Sequence, residues 1–255
     1  MAQPASPLVA LKTADEARGW DAVGRLNLGN RGFCTGALIA PDLVLTAAHC
    51  LFDKETGARI DATTIEFLAG WRDGRAAAYR HVKRGVVHPD YVYAGTDDLG
   101  RVSLDLALLE LDQPIRLPSL HPFATAPAPQ QGDHVAIVSY AMDRSEAPSL
   151  QQSCDVLDRR GGVLVMSCSV EFGSSGAPVF TMTPEGAQIV SVVSAKAQVD
   201  GQAVALGTPL ADPLARLMAE MSSARNGFRK PGVRSMTGGA KFVSAPSAVE
   251  TGTTP

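Results

Sequence analysis

The chain lacks the features that mark membrane-spanning and nucleic-acid-binding proteins. No apolar run approaches the ~18–20 residues that a membrane span needs. The formal net charge is only −3, and no cluster of lysine and arginine forms a basic patch for nucleic acid or for anionic lipid. We therefore expect neither a nucleic-acid partner nor a membrane partner.

A signal peptide is also missing from the start of the chain. The sequence begins Met-Ala-Gln-Pro-Ala, without the charged and apolar segments of a signal. Our hypothesis is that a signal was removed and that Met1 was added for expression. Export must therefore be judged from another feature, the cysteines.

Cysteine is scarce and shows no metal-binding spacing. The four cysteines contain no C-x-x-C pair, which argues against a zinc site, and we expect no metal. Four cysteines allow three disulfide pairings, and spacing alone does not choose among them. Buried free thiols are the alternative. Two disulfides would place the protein in the periplasm or outside the cell. The cysteines are Cys34, Cys50, Cys154 and Cys168.

The composition predicts a globular protein that is rich in β-strands. With 255 residues, 45% hydrophobic and 19% charged, the chain can bury a sizeable core as one or two domains. Many short apolar runs end at glycine or proline, which favours an all-β architecture. Residues 36–40 and 43–46, for example, flank Pro41-Asp42 in the manner of a β-hairpin. Residues 103–111 predict a buried strand that carries Asp105.

The sequence predicts an N-terminal arm, a central crossover, a C-terminal helix and a tail. We interpret residues 1–20 as an N-terminal arm, and residues 114–129, which hold five prolines, as a crossover between two halves. Asp212-Pro213 resembles a helix N-cap, and apolar residues follow at helical spacing, so we expect a C-terminal helix at about 212–222. Residues 223–255 are rich in Gly, Ser, Thr and Pro and predict a disordered tail.

The stretch Glu-Phe-Gly-Ser-Ser-Gly-Ala-Pro at 171–178 has little packing value. Glycines let the backbone turn sharply, and consecutive N–H groups in such a turn can converge on an oxyanion beside a serine hydroxyl. A Gly/Ser surface turn is the alternative interpretation. Two upstream motifs argue against it, because a serine nucleophile needs an imidazole to take its proton and a carboxylate to orient that imidazole.

Those motifs are Thr-Ala-Ala-His-Cys at 46–50 and Leu-Asp-Leu-Ala-Leu-Leu at 104–109. They supply His49 and Asp105 in small-residue and apolar surroundings. Asp97 and Asp98 compete with Asp105, but they lie in a glycine-flanked loop that is a poor place to hold an imidazole. The order His, Asp, Ser in these motifs resembles the chymotrypsin/trypsin-like serine endopeptidases. The likeness is greatest to their bacterial secreted branch, which includes the glutamyl endopeptidases.

The resemblance covers about residues 20–220 and implies the fold. It predicts two six-stranded antiparallel β-barrels followed by a short C-terminal helix, within a protease domain at 21–222. Barrel 1 would cover about 21–115 and barrel 2 about 130–210. It also implies the disulfides Cys34–Cys50 and Cys154–Cys168 and a secreted or periplasmic protein. We expect a monomer that needs no cofactor and acts on protein or peptide substrates.

The resemblance also assigns the chemistry. Ser175 directly precedes Gly-x-Pro and would be the nucleophile, with His49 as general base and Asp105 to orient His49. The amides of Gly173 and Ser175 would form the oxyanion hole. Mammalian-type members carry an aspartate where this chain has Ser174, so activation by a new N-terminal amine is not expected.

The specificity pocket is assigned on the same basis. Ser169, six residues before the nucleophile, would lie at its base, and Val193, Ser194 and Lys196 would line it. Without a charge at Ser169 or Val193, we expect a small or medium apolar residue before the scissile bond. An acidic residue attracted by Lys196 is the alternative. Two other functions stay open: an inactive binding module on the same fold, and an esterase.

Overall fold

The computed structural model describes residues 5–93, 99–199 and 201–227, and most of them lie in antiparallel strands. The strands are β1 Leu8–Ala10, β2 Val23–Asn27, β3 Phe33–Ala40, β4 Leu43–Thr46, β5 Glu66–Ala69, β6 Ala78–Val87, β7 Ala107–Leu111, β8 His134–Ala141, β9 Arg144–Arg160, β10 Val163–Met166, β11 Pro178–Thr183, β12 Gly186–Val199 and β13 Gln202–Pro209. The helices are α1 Leu99–Val102 and α2 Ala211–Gly227, and two 3-10 turns cover Ala48–Leu51 and Ala62–Thr64.

The first six strands after β1 close into a barrel in the order β2-β3-β4-β7-β6-β5. Its hairpin β3–β4 turns at Pro41-Asp42, as the sequence predicts, and β4 then pairs with β7 through Val44 and Leu109. Both of these side chains are fully buried, which ties the end of β4 firmly to the barrel core. The segment that follows β4 is thereby fixed at one rim of the barrel.

The second half forms a seven-stranded sheet, in the order β1-β9-β10-β13-β12-β11-β8, with an additional β8–β9 pairing. Strands β8 to β13 therefore pair in a closed circuit, with β1 attached to β9 outside it. The all-β fold with a barrel, a second sheet and a C-terminal helix is confirmed. Part of the expected N-terminal arm is not an arm, because residues 8–10 add a strand to the open edge of β9.

The proline-rich connection between β7 and β8 packs against both halves. Phe123 donates its amide to the Leu38 carbonyl of β3 at 2.9 Å, and its ring lies 4.7 Å from that of Phe180 on β11. The connection thus helps to hold the two halves against each other. Helix α2 begins one residue before the expected start and continues to residue 227. The rest of the predicted tail, residues 228–255, lies outside the described residues.

Three elements differ from the expectation. Strand β9 spans 17 residues and was not predicted, because it contains Pro148 and many polar residues. Strand β13 was not predicted either. Asp105 does not lie within a strand: it precedes β7 by two residues and follows α1, in a segment whose amides bond to nearby carbonyls. The strand predicted at 103–111 therefore starts only at Ala107.

Candidate active site

A cleft of about 630 Å³ contains His49, Gly173 and Ser175 in its lining. His49 comes from the 3-10 turn after β4 in the first barrel, whereas Ser175 comes from the loop before β11 in the second sheet. The two side chains share the cleft without a direct hydrogen bond between them. Such contacts commonly tighten only when substrate binds.

Asp105 holds His49 in one orientation. Its side chain is 3% exposed, and its Oδ2 lies 2.6 Å from Nδ1 of His49, while its Oδ1 accepts the His49 backbone amide at 2.8 Å. The hydroxyl of Ser194 also donates to Oδ2. The imidazole is therefore fixed through its Nδ1 side, which leaves Nε2 for proton exchange. Asp97 and Asp98, the competing acids, lie outside the described residues.

The ionised state of Asp105 is favoured in spite of its burial. Burial by itself raises the pKa of the Asp105 carboxyl. The charge and hydrogen bond of His49, together with the hydrogen bonds from Ser194 and the His49 amide, outweigh that effect and hold the pKa below its usual value. A negative charge next to Nδ1 stabilises an imidazolium, which a general base becomes when it takes a proton.

The loop around Ser175 requires glycine at two places. Gly173 has φ +99° and Gly176 has φ +79°, a region that side chains rarely adopt. A Cβ on Gly173 would lie 2.4 Å from the Phe33 ring, and one on Gly176 would lie 2.1 Å from Oγ1 of Thr46. The first barrel therefore packs closely against this loop and fixes its conformation.

Two amides of the loop have no acceptor among the described residues. The amides of Ser174, Gly176 and Ala177 donate to the carbonyls of Glu171, Val193 and Ser174 respectively. In the part of the chain that the structure describes, the amides of Gly173 and Ser175 have no hydrogen-bond acceptor. Both residues line the cleft, so this pair of donors suits an oxyanion.

Ser174 and Ser175 differ in burial and in hydrogen bonding. It is fully buried, and its hydroxyl lies 3.3 Å from the Arg144 guanidinium and accepts the Glu171 amide at 3.3 Å. Arg144 also donates to the Ser139 carbonyl at 2.7 Å. Ser174 therefore ties the loop to β8 and β9, whereas the half-buried Ser175 is the serine that reaches the cleft.

Thr35 contacts the loop that carries Ser175, a role that the sequence did not indicate. It is fully buried on β3, its amide donates to the Ser175 carbonyl at 2.8 Å, and its hydroxyl donates to the Gly173 carbonyl at 2.9 Å. The Tyr140 amide of β8 donates to the same hydroxyl at 3.1 Å. Thr35 thus joins the two halves directly beneath the serine loop. In the sequence, the one local feature that could have drawn attention to Thr35 is its position next to Cys34.

The expected pocket residues separate into two groups. Ser169 and Lys196 line a cavity of about 110 Å³, together with Glu171, whose Oε1 lies 2.5 Å from Nζ of Lys196. Val193 is buried in the core of the second sheet, and Ser194 contacts Asp105, so neither lines that cavity. Lys196, which was expected to attract an acidic side chain in the alternative interpretation, is paired with Glu171 instead.

The cysteines form two disulfides, Cys34–Cys50 and Cys154–Cys168. The first lies in the lining of the large cleft beside His49. In the described part of the chain, the one cluster with metal-ligand spacing is His49 with these two cysteines, and the disulfide removes both thiolates. Among the described residues, no helix is both long and apolar enough to cross a bilayer.

Known proteins resemble this chain in sequence and in fold. Serine protease 23 of Bos taurus is 31% identical over 163 residues, which cover 58% of this chain and 43% of that protein. Glutamyl endopeptidase of Bacillus licheniformis is 27% identical over 150 residues, which cover 58% of this chain and 45% of that protein. The chain thus spans less than half the length of these curated relatives. A solved structure of a Glu endopeptidase in complex with MPD superposes with a TM-score of 0.70, 17% identity, and coverage of 87% of this chain and all of that one.

The solved structure supports the fold alone, given its low identity. A family model is more decisive. The model for the trypsin-like peptidase domain matches residues 34–190, more than half of the chain and a range that includes His49, Asp105 and Ser175. The chain belongs to the trypsin-like peptidase domain family.

Proposed function

We propose that this chain is a serine endopeptidase that cleaves peptide bonds by a Ser175–His49–Asp105 triad. The contact of 2.6 Å between Asp105 and Nδ1 of His49, in a cleft that Ser175 also lines, is the observation that carries the proposal. It provides an oriented imidazole in the same cleft as an accessible serine, and among the described residues the remaining nitrogen, Nε2, has only a 3.9 Å contact with the disulfide sulfur of Cys50. Family membership adds the reaction class.

In the proposed reaction, Ser175 Oγ attacks the carbonyl carbon of the substrate while its proton passes to Nε2 of His49. The oxyanion accepts hydrogen bonds from the amides of Gly173 and Ser175, each worth about 2.7–4 kcal/mol in the transition state. Collapse of the tetrahedral intermediate breaks the C–N bond, and His49 gives its proton to the leaving amine. Water then attacks the acyl carbon while His49 takes its proton. The acyl C–Oγ bond breaks as His49 returns that proton to Ser175 Oγ, which releases the acid and restores the enzyme.

The large cleft favours a peptide over a small ester. His49 must deliver its proton to the leaving group, so the residues after the scissile bond occupy the side of the loop that His49 lines. That side is the 630 Å³ cleft, flanked by Phe172 and Met142, which are 71% and 72% exposed. Exposed large apolar side chains beside a cleft are typical of a binding surface. An extended chain that continues past the cleaved bond fits there.

The small cavity is proposed to take the side chain before the scissile bond. At about 110 Å³ it is smaller than the ~150 Å³ of a cavity that holds benzene, so we expect a small or medium aliphatic side chain rather than an aromatic one. Lys196 is paired with Glu171, which reduces its attraction for an acidic substrate. The apolar preference is therefore favoured over the acidic one.

We propose that the protein acts outside the cytoplasm, in the periplasm or after secretion. Two disulfides are the supporting observation, because disulfides persist in oxidising compartments. Protein or peptide substrates would meet the enzyme there. Mass mapping of the exported protein without reduction tests this step, since four free thiols would contradict it.

Labelling with a fluorophosphonate probe tests the proposed function. Such a probe modifies an activated serine, so we expect it on Ser175 in the native protein and not in Ser175→Ala. Ser174→Ala serves as the control and should keep its label, because the Ser174 hydroxyl is buried against Arg144. Absence of labelling in the native protein would favour the inactive binding module. Labelling with hydrolysis of esters but not of peptides would favour the esterase.

A further inference from the structure

The side chain of Gln151 connects the N-terminal segment to the small cavity. Gln151 lies on β9 and is 1% exposed. Its Nε2 donates to the Ser6 carbonyl at 2.7 Å, and its Oε1 accepts the Ser169 amide at 2.8 Å. Both ends of the buried amide group are therefore engaged, one by the N-terminal segment and one by a residue that lines the cavity.

The cavity wall at 167–170 is attached almost entirely to β9. The Ser167 amide donates to the Asp155 carbonyl at 3.0 Å, and the Asp155 amide donates to the Ser167 hydroxyl at 2.8 Å. The Cys154–Cys168 disulfide adds a covalent link. These contacts attach residues 167 and 168 of the wall to β9. At Ser169 the attachment to β9 is the hydrogen bond that the Ser169 amide donates to Oε1 of Gln151.

The N-terminal segment is held on β9 by few contacts. The Ser6 amide donates to the Ser153 carbonyl at 2.8 Å, and the Ser153 amide donates to the Ser6 hydroxyl at 2.9 Å. Strand β1 then pairs over only three residues, and Val9 within it is 50% exposed. A short edge strand with little buried surface opens more easily than the core strands. Its release would leave Nε2 of Gln151 buried without an acceptor, which is costly.

We propose that Gln151 is a positioning residue through which docking of residues 6–10 sets the shape of the specificity cavity. This inference rests on the proposed function of that cavity. With the segment docked, the carboxamide is fixed at both ends and holds the Ser169 backbone in the cavity wall. With the segment displaced, the carboxamide turns toward another acceptor, and the Ser169 amide loses its fixed partner. Selectivity for the residue before the scissile bond then falls, while the triad is untouched.

Gln151→Leu tests the inference, with Gln152→Leu as a matched control. Gln152 is the next residue on β9 and is exposed, so the same substitution there removes neither bond. The readout is the ratio of kcat/KM for two peptides that differ only in Val or Gly before the scissile bond. We expect Gln151→Leu to lower this ratio about tenfold, mainly through KM, and Gln152→Leu to leave it unchanged. A loss of folded protein lowers both kcat/KM values equally and cancels in the ratio.

Removal of residues 1–7 provides the second arm. It takes away Ser6, so we expect the same loss of selectivity, and in the Gln151→Leu background it should add nothing further. Fluorophosphonate labelling is measured in parallel, because the probe reports on Ser175. A ratio in labelled Gln151→Leu or in the labelled truncated protein that matches the native ratio would overturn the inference and leave the proposed function standing. A native protein that is not labelled would overturn both.

Discussion

Removing the charge of Glu171 should create a preference for acidic substrates. In the native protein Glu171 and Lys196, which both line the small cavity, form an ion pair at 2.5 Å, and their side chains are 50% and 48% exposed. In Glu171→Gln the ammonium of Lys196 is no longer neutralised, and a substrate carboxylate is no longer repelled by Glu171. Exposed charge pairs contribute about 0.2–1 kcal/mol each. Two such effects amount to about 0.4–2 kcal/mol, or about a 2- to 30-fold gain in relative kcat/KM.

The assay compares kcat/KM for peptides with Glu or Gln before the scissile bond, in native protein, Glu171→Gln and Glu171→Gln/Lys196→Ala. We expect the Glu/Gln ratio to rise in the single variant, to return in the double variant and to shrink at high salt, because added ions screen exposed charges. Glu185→Gln, at an exposed turn between β11 and β12, is the control. An unchanged ratio in Glu171→Gln would refute the idea that Glu171 neutralises Lys196 at this site.

Three further predictions concern the catalytic apparatus. Ser194→Ala removes one hydrogen bond to the Asp105 carboxylate, worth about 1.5–3 kcal/mol when the acceptor is charged, so kcat should fall by at most about 160-fold, far less than the ~10⁴-fold expected for Asp105→Asn. Equal losses would contradict the view that Asp105 still orients His49 without Ser194. Arg144→Met should lower kcat in steady-state assays because it leaves both the Ser139 carbonyl and the Ser174 hydroxyl without their guanidinium donor, and an unchanged kcat would contradict this. Native protein with an acetylated N-terminus should stay active, and inactivity of the acetylated protein would contradict the expectation that no N-terminal amine is needed. The lowered pKa of Asp105 stabilises the fold above the usual carboxyl pKa near 3.9, and this contribution is lost as the pH falls through the lower folded value; urea titrations should therefore show less loss of stability in acid for Asp105→Asn, and parallel curves would argue against it.

Sequence patterns predicted the β-rich architecture and the three motif residues because those features are local. A glycine-serine turn, a histidine after small residues and an aspartate between leucines can each be recognised within a few positions. Strand β9 was missed because Pro148 and its polar residues do not alternate as strand residues usually do, although pairing on both sides satisfies its backbone. The length of β9 is set by the strands that pair with it rather than by the residues of the segment itself.

The contacts that shape the site were beyond the reach of the sequence. Ser194 was expected in the specificity pocket, but the fold brings its hydroxyl to Asp105, 89 positions earlier in the chain. Thr35 and Gln151 carry no motif, and their importance follows from partners more than 100 residues away. Such pairings depend on how the two halves meet. The roles assigned to His49, Asp105 and Ser175 themselves stay predictions until the variants are measured.

The division of the site between the two halves has a consequence for the newly made chain. His49 and Asp105 belong to the first barrel, whereas Ser175 and Ser194 belong to the second sheet, and Thr35 joins them. Neither half alone holds both an oriented imidazole and its serine. During synthesis and export, the proposed hydrolytic activity would therefore be absent until the halves dock, which spares neighbouring proteins from a half-folded protease. Two fragments divided in the 112–133 connection should likewise be inert apart and regain activity on mixing.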